Sequence, residues 1–166
     1  MSVTHYMEID SPIGKLLLVG DHERLSGLYM QDGERPVGVA SDWIHAAAPF
    51  QRVTAQLDEY FAGQRSTFEV RLALRGSPFQ RLVWQALLRI PHGQTTTYGE
   101  IAKRVGRPAD ARAVGWANAS NPVAVIVPCH RVVGADGTLT GYAGGLERKR
   151  LLLDLESGDR AARLFD

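Results

Sequence analysis

At the start of the chain, apolar positions fall in short stretches separated by turn residues. Tyr6, Glu8 and Ile9 lead into Ser11-Pro12-Ile13-Gly14, and Lys15-Leu16-Leu17-Leu18-Val19 leads into Gly20-Asp21-His22-Glu23. With Leu25-Ser26-Gly27-Leu28-Tyr29-Met30, these predict three strands of a small antiparallel meander. Residues 31–48 mix glycine, proline, charge and alanine without a period, so a loop is expected there. From Pro49 the spacing becomes helical, with Phe50, Val53, Leu57, Tyr60 and Phe61 on one face and Gly63 placed to end the helix. Thr67 to Leu74 alternates, which predicts one more strand with Phe68, Val70, Leu72 and Leu74 facing inward.

Around Arg75-Gly76 the pattern switches to helices. Ser77-Pro78 reads as a helix start, serine as cap and proline in the first turn. The apolar face that follows is Phe79, Leu82, Val83, Ala86, Leu87 and Ile90, stopped by Pro91-His92-Gly93. Thr97-Tyr98-Gly99-Glu100 has the spacing of a capping box and opens a short helix through Val105. Gly106-Arg107-Pro108 breaks it, and a further helix is expected from about Ala109 to Ala119. Two short helices joined by a tight glycine-containing turn make a candidate helix-turn-helix, with the second in the recognition position. A last helix runs from Leu146 to about Glu156. The switch suggests two units, residues 1–74 and 75–166.

Between the helices lies Asn121-Pro122-Val123-Ala124-Val125-Ile126-Val127-Pro128-Cys129-His130-Arg131. The run Val123 to Val127 reads as a buried extended segment, too short to stand as a helix. It delivers the single cysteine of the chain. A free thiol is only slightly ionised at neutral pH, so a nucleophilic Cys129 needs nearby positive charge or a histidine to take its proton. His130 is adjacent and can act directly or through a water. Such a histidine wants a carboxylate to orient it, and Asp154 and Glu156 on the last helix are candidates. The basic run Arg148-Lys149-Arg150 reads as an exposed helix face.

Composition narrows the classes. With 166 residues, 45% hydrophobic and 22% charged, the chain is that of an ordinary globular protein. No apolar run approaches a membrane span, and the start Met1-Ser2-Val3-Thr4-His5-Tyr6 lacks the features of a signal peptide. A single cysteine permits no internal disulfide, and a cytoplasmic location is expected. There is no CxxC pair, no HExxH and no glycine-rich phosphate loop, so neither metal nor cofactor is expected. The net charge of +1 hides an asymmetry: −4 over residues 1–74 and +5 over residues 75–166. Only the second unit suits a polyanion.

Asn121-Pro122 with Ile126-Val127-Pro128-Cys129-His130-Arg131-Val132-Val133 resembles the active-site signature of the O6-alkylguanine-DNA alkyltransferases, the methylated-DNA–protein-cysteine methyltransferases. Phe79 to Trp84, Ile90 to Gly93, Thr97 to Ala102, Arg112 to Gly115 and Gly141 to Leu146 follow in family order, so continuous similarity covers about residues 76–156. Ile9 to Gly14 and Leu57 to Gly63 also resemble the family's N-terminal domain.

The resemblance implies an α+β fold. Its first domain would be a ribonuclease-H-like antiparallel sheet with a helix, and its second mostly helical with a winged helix-turn-helix. It implies direct DNA repair: an alkyl group moves once, irreversibly, from O6-alkylguanine, and from O4-methylthymine, to Cys129 after the damaged base is flipped out. The roles implied are Cys129 as acceptor, His130 and Glu156 as its activating pair, Tyr98 as proton source and Asn121 as a hinge brace. Arg112 would fill the gap in the base stack, with Ala113, Gly115 and Trp116 on the same DNA-facing helix. Val132, Tyr142 and Ala143 would line the base pocket. Ala143 stands where some relatives carry a serine, and Trp116 can equally be a packing residue. The implied partner is double-stranded DNA bound by a monomer, with cooperativity along the duplex left open. A lesion-binding protein without transfer is the alternative, and Cys129 argues against it.

Overall fold

A computed structural model describes residues 3–33 and 36–158. Met1, Ser2 and residues 159–166, parts of the two expected units, lie outside the described residues. Strands β1 (His5–Ile9), β2 (Leu16–Gly20) and β3 (Leu25–Met30) form the antiparallel meander. The loop expected over residues 31–48 contains a further strand, β4 (Ile44–His45), which pairs parallel to β1 and gives the sheet order β3-β2-β1-β4. Backbone bonds from Ile44 N to Thr4 O (2.9 Å) and from Ala46 N to Tyr6 O (3.1 Å) hold it. Two residues are too few to show a period, so the sequence carried no sign of it.

Helix α1 (Gln51–Phe61) buries Val53, Leu57, Tyr60 and Phe61 in one core with Leu16, Leu18, Leu25 and Leu28. Thr67 to Leu74 does not form the expected strand. It makes a single parallel bridge, Leu72 to Leu25, with Arg71 O accepting from Leu25 N at 2.8 Å and Ala73 N donating to Leu25 O at 2.9 Å. The outer edge of β3 is shared: its Leu28 end is taken by residues 122–124, which leaves neither segment room for a ladder. The alternation survives as partial burial of Phe68, Val70, Leu72 and Leu74.

Helix α2 (Pro78–Leu87) begins in a full capping box, Ser77 Oγ accepting from Gln80 N at 3.1 Å and Gln80 Oε1 from Ser77 N at 2.8 Å. Strand β5 (Thr96–Thr97) leads into α3 (Tyr98–Arg104), where Thr97 Oγ1 accepts from Glu100 N at 3.1 Å. The Glu100 carboxylate lies 3.9 Å from Arg104 on the next turn. Helix α4 (Ala111–Ala119) starts later than expected. Asp110 is engaged by Arg107 at 2.8 Å and makes no side-chain cap. Trp84 Nε1 donates to Ala117 O at 2.9 Å and ties α2 to α4 inside the core. Strand β6 (Val132–Val133) pairs parallel to β5, and α5 (Leu146–Ser157) closes the described chain at Gly158, whose φ of 73° is left-handed. The architecture is α+β in two parts, a mixed sheet with a helix and then a mostly helical part with the winged helix-turn-helix arrangement.

Candidate active site

The approach to Cys129 is not the extended segment that its apolar run suggests. Val127 N donates to Val123 O at 3.0 Å, Ile126 N to Ala124 O at 2.8 Å and Cys129 N to Val127 O at 2.8 Å, so the run folds into consecutive turns. Asn121 is the cause. Its Oδ1 accepts from Val123 N at 3.0 Å and its Nδ2 donates to Val127 O at 2.7 Å, which clamps both ends of the run. Val125 takes φ 70°, a left-handed conformation that a β-branched residue adopts only when its surroundings force it. Cys129, His130 and Arg131 follow as a short 3-10 turn, all buried.

Beneath this turn lies a polar cluster centred on Glu156 of α5. Glu156 Oε2 accepts from the Tyr60 hydroxyl at 2.5 Å and from Arg131 Nη2 at 2.9 Å, and meets His130 Nε2 at 2.7 Å. Arg131 Nε donates to Glu156 Oε1 at 2.7 Å and Nη1 to Ile90 O at 2.6 Å. Burial opposes the charge on Glu156, but bonds from His130 and Arg131 outweigh it and hold the carboxyl well below the usual carboxylate range. Burial also pushes His130 down, against the pull of Glu156, so the ring is neutral. Arg131 is then the permanent counter-charge. A neutral ring bonded to a carboxylate through Nε2 carries its hydrogen there, which leaves Nδ1 as an acceptor. Nδ1 meets no partner among the described residues, so no direct bond joins the ring to the sulfur.

Cys129 opens on a cavity of about 60 Å³ lined by Asn118, Asn121, Tyr142 and Ala143, together with Leu28 and Met30 of β3. Burial pushes the thiol up, while the Asn121 side chain and the charge of Lys149 pull it back. Lys149 is not on an exposed face, contrary to the reading of Arg148-Lys149-Arg150. It is fully buried, donates from Nζ to Thr140 O at 2.7 Å, and is pushed down to about 8 by burial. Arg148 is also tied down, to Ile13 O at 2.7 Å, and only Arg150 is exposed.

The comparisons fix the family. Residues 4–74 match the family described as 6-O-methylguanine DNA methyltransferase, ribonuclease-like domain, and residues 78–158 match its DNA binding domain. The chain belongs to the 6-O-methylguanine DNA methyltransferase family. It is 50% identical over 152 residues to a methylated-DNA–protein-cysteine methyltransferase of Methanosarcina acetivorans, covering 92% of this chain and 97% of that one. It is 51% identical over 164 residues to that of Mycobacterium bovis, covering 98% and 99%. The crystal structure of Mycobacterium tuberculosis OGT in complex with DNA superposes with a TM-score of 0.88 at 51% identity, covering 93% of each chain.

The site residues expected of a methyltransferase fall in three places. Cys129, Asn121, Tyr142 and Ala143 line the cavity, and His130 and Glu156 lie below it. Tyr98 sits at the start of α3, its hydroxyl accepting from Thr140 Oγ1 at 3.0 Å, with Gly115 of α4 next to its ring. Arg112 and Trp116 lie one turn apart on α4, the guanidinium 5.6 Å from the indole centroid, with Ala113 and Gly115 half-buried beside them. Trp116 is 69% exposed, which excludes the packing reading.

Val132 does not line the cavity: it is fully buried, because pairing of β6 with β5 turns it into the core. Sequence reasoning missed Tyr60, Arg131, Asn118, Lys149 and the wall supplied by β3. One signal was available, since Lys149, Leu152 and Glu156 are spaced to share a helix face. Among the described residues no group of His, Cys, Asp or Glu could hold a metal, and no helix is long and apolar enough to cross a membrane.

Proposed function

We propose that this chain repairs duplex DNA directly, taking the alkyl group of O6-alkylguanine, or of O4-methylthymine, onto Cys129. The observation that carries the reading is a buried lone thiol facing a cavity, set above a neutral histidine whose free ring nitrogen can take its proton. The Cys129 proton passes to His130 Nδ1 through a water, and the Glu156 carboxylate stabilises the charge that the ring gains, against the opposing charge of Arg131. Sγ then bonds to the alkyl carbon as the carbon–oxygen bond breaks. The Tyr98 hydroxyl lies 3.0 Å from Thr140 Oγ1, and with Thr140 donating to it, its own hydrogen can go to the departing base. Without it the leaving group would be an anion in a dry site, at a cost of several kcal/mol. The product is a thioether, which no second nucleophile in the cavity can hydrolyse, so each molecule reacts once.

The reacting carbon is out of reach inside a base-paired stack, and extrusion of the nucleotide solves this. Helix α4 suits the minor groove: Arg112 replaces the lost base, small Ala113 and Gly115 permit close approach, and Trp116 contacts the strand. Asn121, bonded to the turn before Cys129 and following α4 directly, keeps the DNA-facing helix in register with the sulfur. We read the chain as acting as a monomer, and an unpaired thiol as the working group suits the cytoplasm.

The test is intact-protein mass after incubation with a duplex containing O6-methylguanine. A gain of one methyl group on Cys129, saturating at one per molecule, is expected. Hydrolytic turnover, or tight binding without a mass change, overturns the reading.

A further inference from the structure

Tyr60 reaches the Glu156 cluster from α1, across 96 residues of sequence. Its ring is 1% exposed, edge-on to Phe61 and His92 at 5.2 and 6.1 Å between centroids, and tilted against Phe68 at 5.3 Å. Those contacts fix the ring, and with it the place of the hydroxyl oxygen. Burial, with the charge of Glu156 behind it, pushes the phenol well above its usual value. The hydroxyl therefore stays protonated and serves the carboxylate as a donor.

The oxygen that Tyr60 bonds, Oε2, is the one that meets His130 Nε2 at 2.7 Å. Arg131 Nη2 donates to the same atom at 2.9 Å. Donors that share one acceptor compete, because each draws charge from the oxygen and weakens its hold on the others. The competition bears on the alkyl-transfer reading, on which this inference rests, since that reading needs a neutral His130 whose Nδ1 can accept. A buried imidazole facing an unshared carboxylate would draw a proton and keep it, and Nδ1 would then be a donor.

The charged and titratable groups around the ring come from several elements. Glu156 and Lys149 belong to α5, Arg131 and Cys129 to the ring's own turn, and His92 and Tyr142 lie in the field of Glu156. Glu156 favours a charged ring, while Arg131 and Lys149 oppose it. Whatever shares that carboxylate therefore governs the base. Arg131 shares it as a cation, and Tyr60 does so without adding a charge to the core.

We propose that Tyr60 is a positioning residue for alkyl transfer: its hydrogen bond to Glu156 Oε2 takes a share of the carboxylate that His130 would otherwise hold alone with Arg131, and so keeps the ring a free base. The helix packed on the sheet thereby sets the proton affinity of a site that the helical part of the molecule builds.

The test follows the single-turnover rate of methyl transfer from a duplex containing O6-methylguanine as pH is lowered, together with an NMR titration of His130 in the same proteins. The rate falls where the ring gains its proton. In Tyr60→Phe the carboxylate is released to His130, so the fall in rate and the NMR titration are both expected about half a pH unit or more higher. Replacing Tyr60 alone by 3-fluorotyrosine keeps the ring contacts and makes the hydroxyl a stronger donor, so both should move lower. A packing role does not produce opposite shifts from the two replacements. Rates reduced at every pH with the fall unmoved, or shifts of the same sign, would overturn the proposal. The fluorinated protein decides the matter if Tyr60→Phe folds poorly. Absence of transfer by the unsubstituted protein would remove the alkyl-transfer reading, whereas an unmoved NMR titration would overturn the hold of Tyr60 on His130 and leave that reading standing.

Discussion

Arg131 and Arg112 carry the same guanidinium in opposite surroundings. Arg131 is buried, held by both oxygens of Glu156 and by the carbonyl of Ile90. Arg112 is exposed and rests against the Trp116 indole 5.6 Å away. The first sits in a buried hydrogen-bonded network, which holds the turn carrying Cys129. The second is attached by one weak contact worth about 0.5–1 kcal/mol at an exposed site, and can leave it for DNA at little cost. The molecule therefore separates a rigid chemical floor from an arginine held loosely on the exposed face of α4.

Breaking the floor should produce the largest effect. Arg131→Met leaves Glu156 charged and buried without its cation, and should lower stability by about 3–5 kcal/mol in denaturant unfolding. It should also slow methyl transfer from duplex and from free O6-methylguanine alike. Tyr60→Phe removes one bond to the same carboxylate and should lower stability by about 1.5–3 kcal/mol, checked in the same way.

Acid should reproduce the loss without a substitution. Glu156, depressed in the fold, contributes stability that is fully present above the ordinary carboxyl value near 4.3 and is lost as pH falls toward its folded value. His130 acts in the same sense. Its folded value is lowered, so below about pH 6.5 the unfolded chain takes up that proton first and stability declines. Thermal melting from pH 8 down to pH 4 should show a first decline below about pH 6.5, from His130, and a second near the carboxyl range, from Glu156; a Glu156→Gln variant should keep the first and lose the second.

The smallest effect on stability is expected from the exposed arginine. Arg112→Ala should change unfolding by no more than about 1 kcal/mol. It should nevertheless slow transfer from duplex DNA at least about tenfold, since a few kcal/mol of base unstacking is no longer offset. Transfer from the free modified base should be far less affected, and the pH dependence of the rate should keep its shape. A shifted pH profile would mean that Arg112 belongs to the floor after all.

Much of this division was legible in the sequence. Ser77-Pro78 and Gly106-Arg107-Pro108 marked helix boundaries through local backbone chemistry, which needs no tertiary partner. The Cys129-His130 pair could be named from its chemistry, and the family motif selected Glu156 over Asp154 as its carboxylate. What escaped was tertiary. Tyr60 occupies an apolar face of α1 and shows nothing polar until Glu156 arrives from the far end of the chain. Val123 to Val127 has strand composition, but a single side chain, Asn121, imposes turns that composition cannot reveal. Lys149 looked like one more surface cation in a basic run, and only the packed helix shows that it faces inward. The wall contributed by Leu28, Tyr29 and Met30 was hidden for the same reason: a strand pattern says which face is buried, not what buries it.

That wall has a consequence for the order in which the protein comes into being. Leu28 N donates to Pro122 O at 2.9 Å and Ala124 N to Leu28 O at 3.1 Å, while Gly144 passes so close to Met30 that a Cβ there would meet its sulfur. The strand is synthesised early, the cysteine late, and α5 with Lys149 and Glu156 later still. A nascent chain that has emerged only as far as Cys129 holds an ordinary thiol. The sulfur takes its place in the site only when α5 has docked behind it and the β3 wall has closed over it.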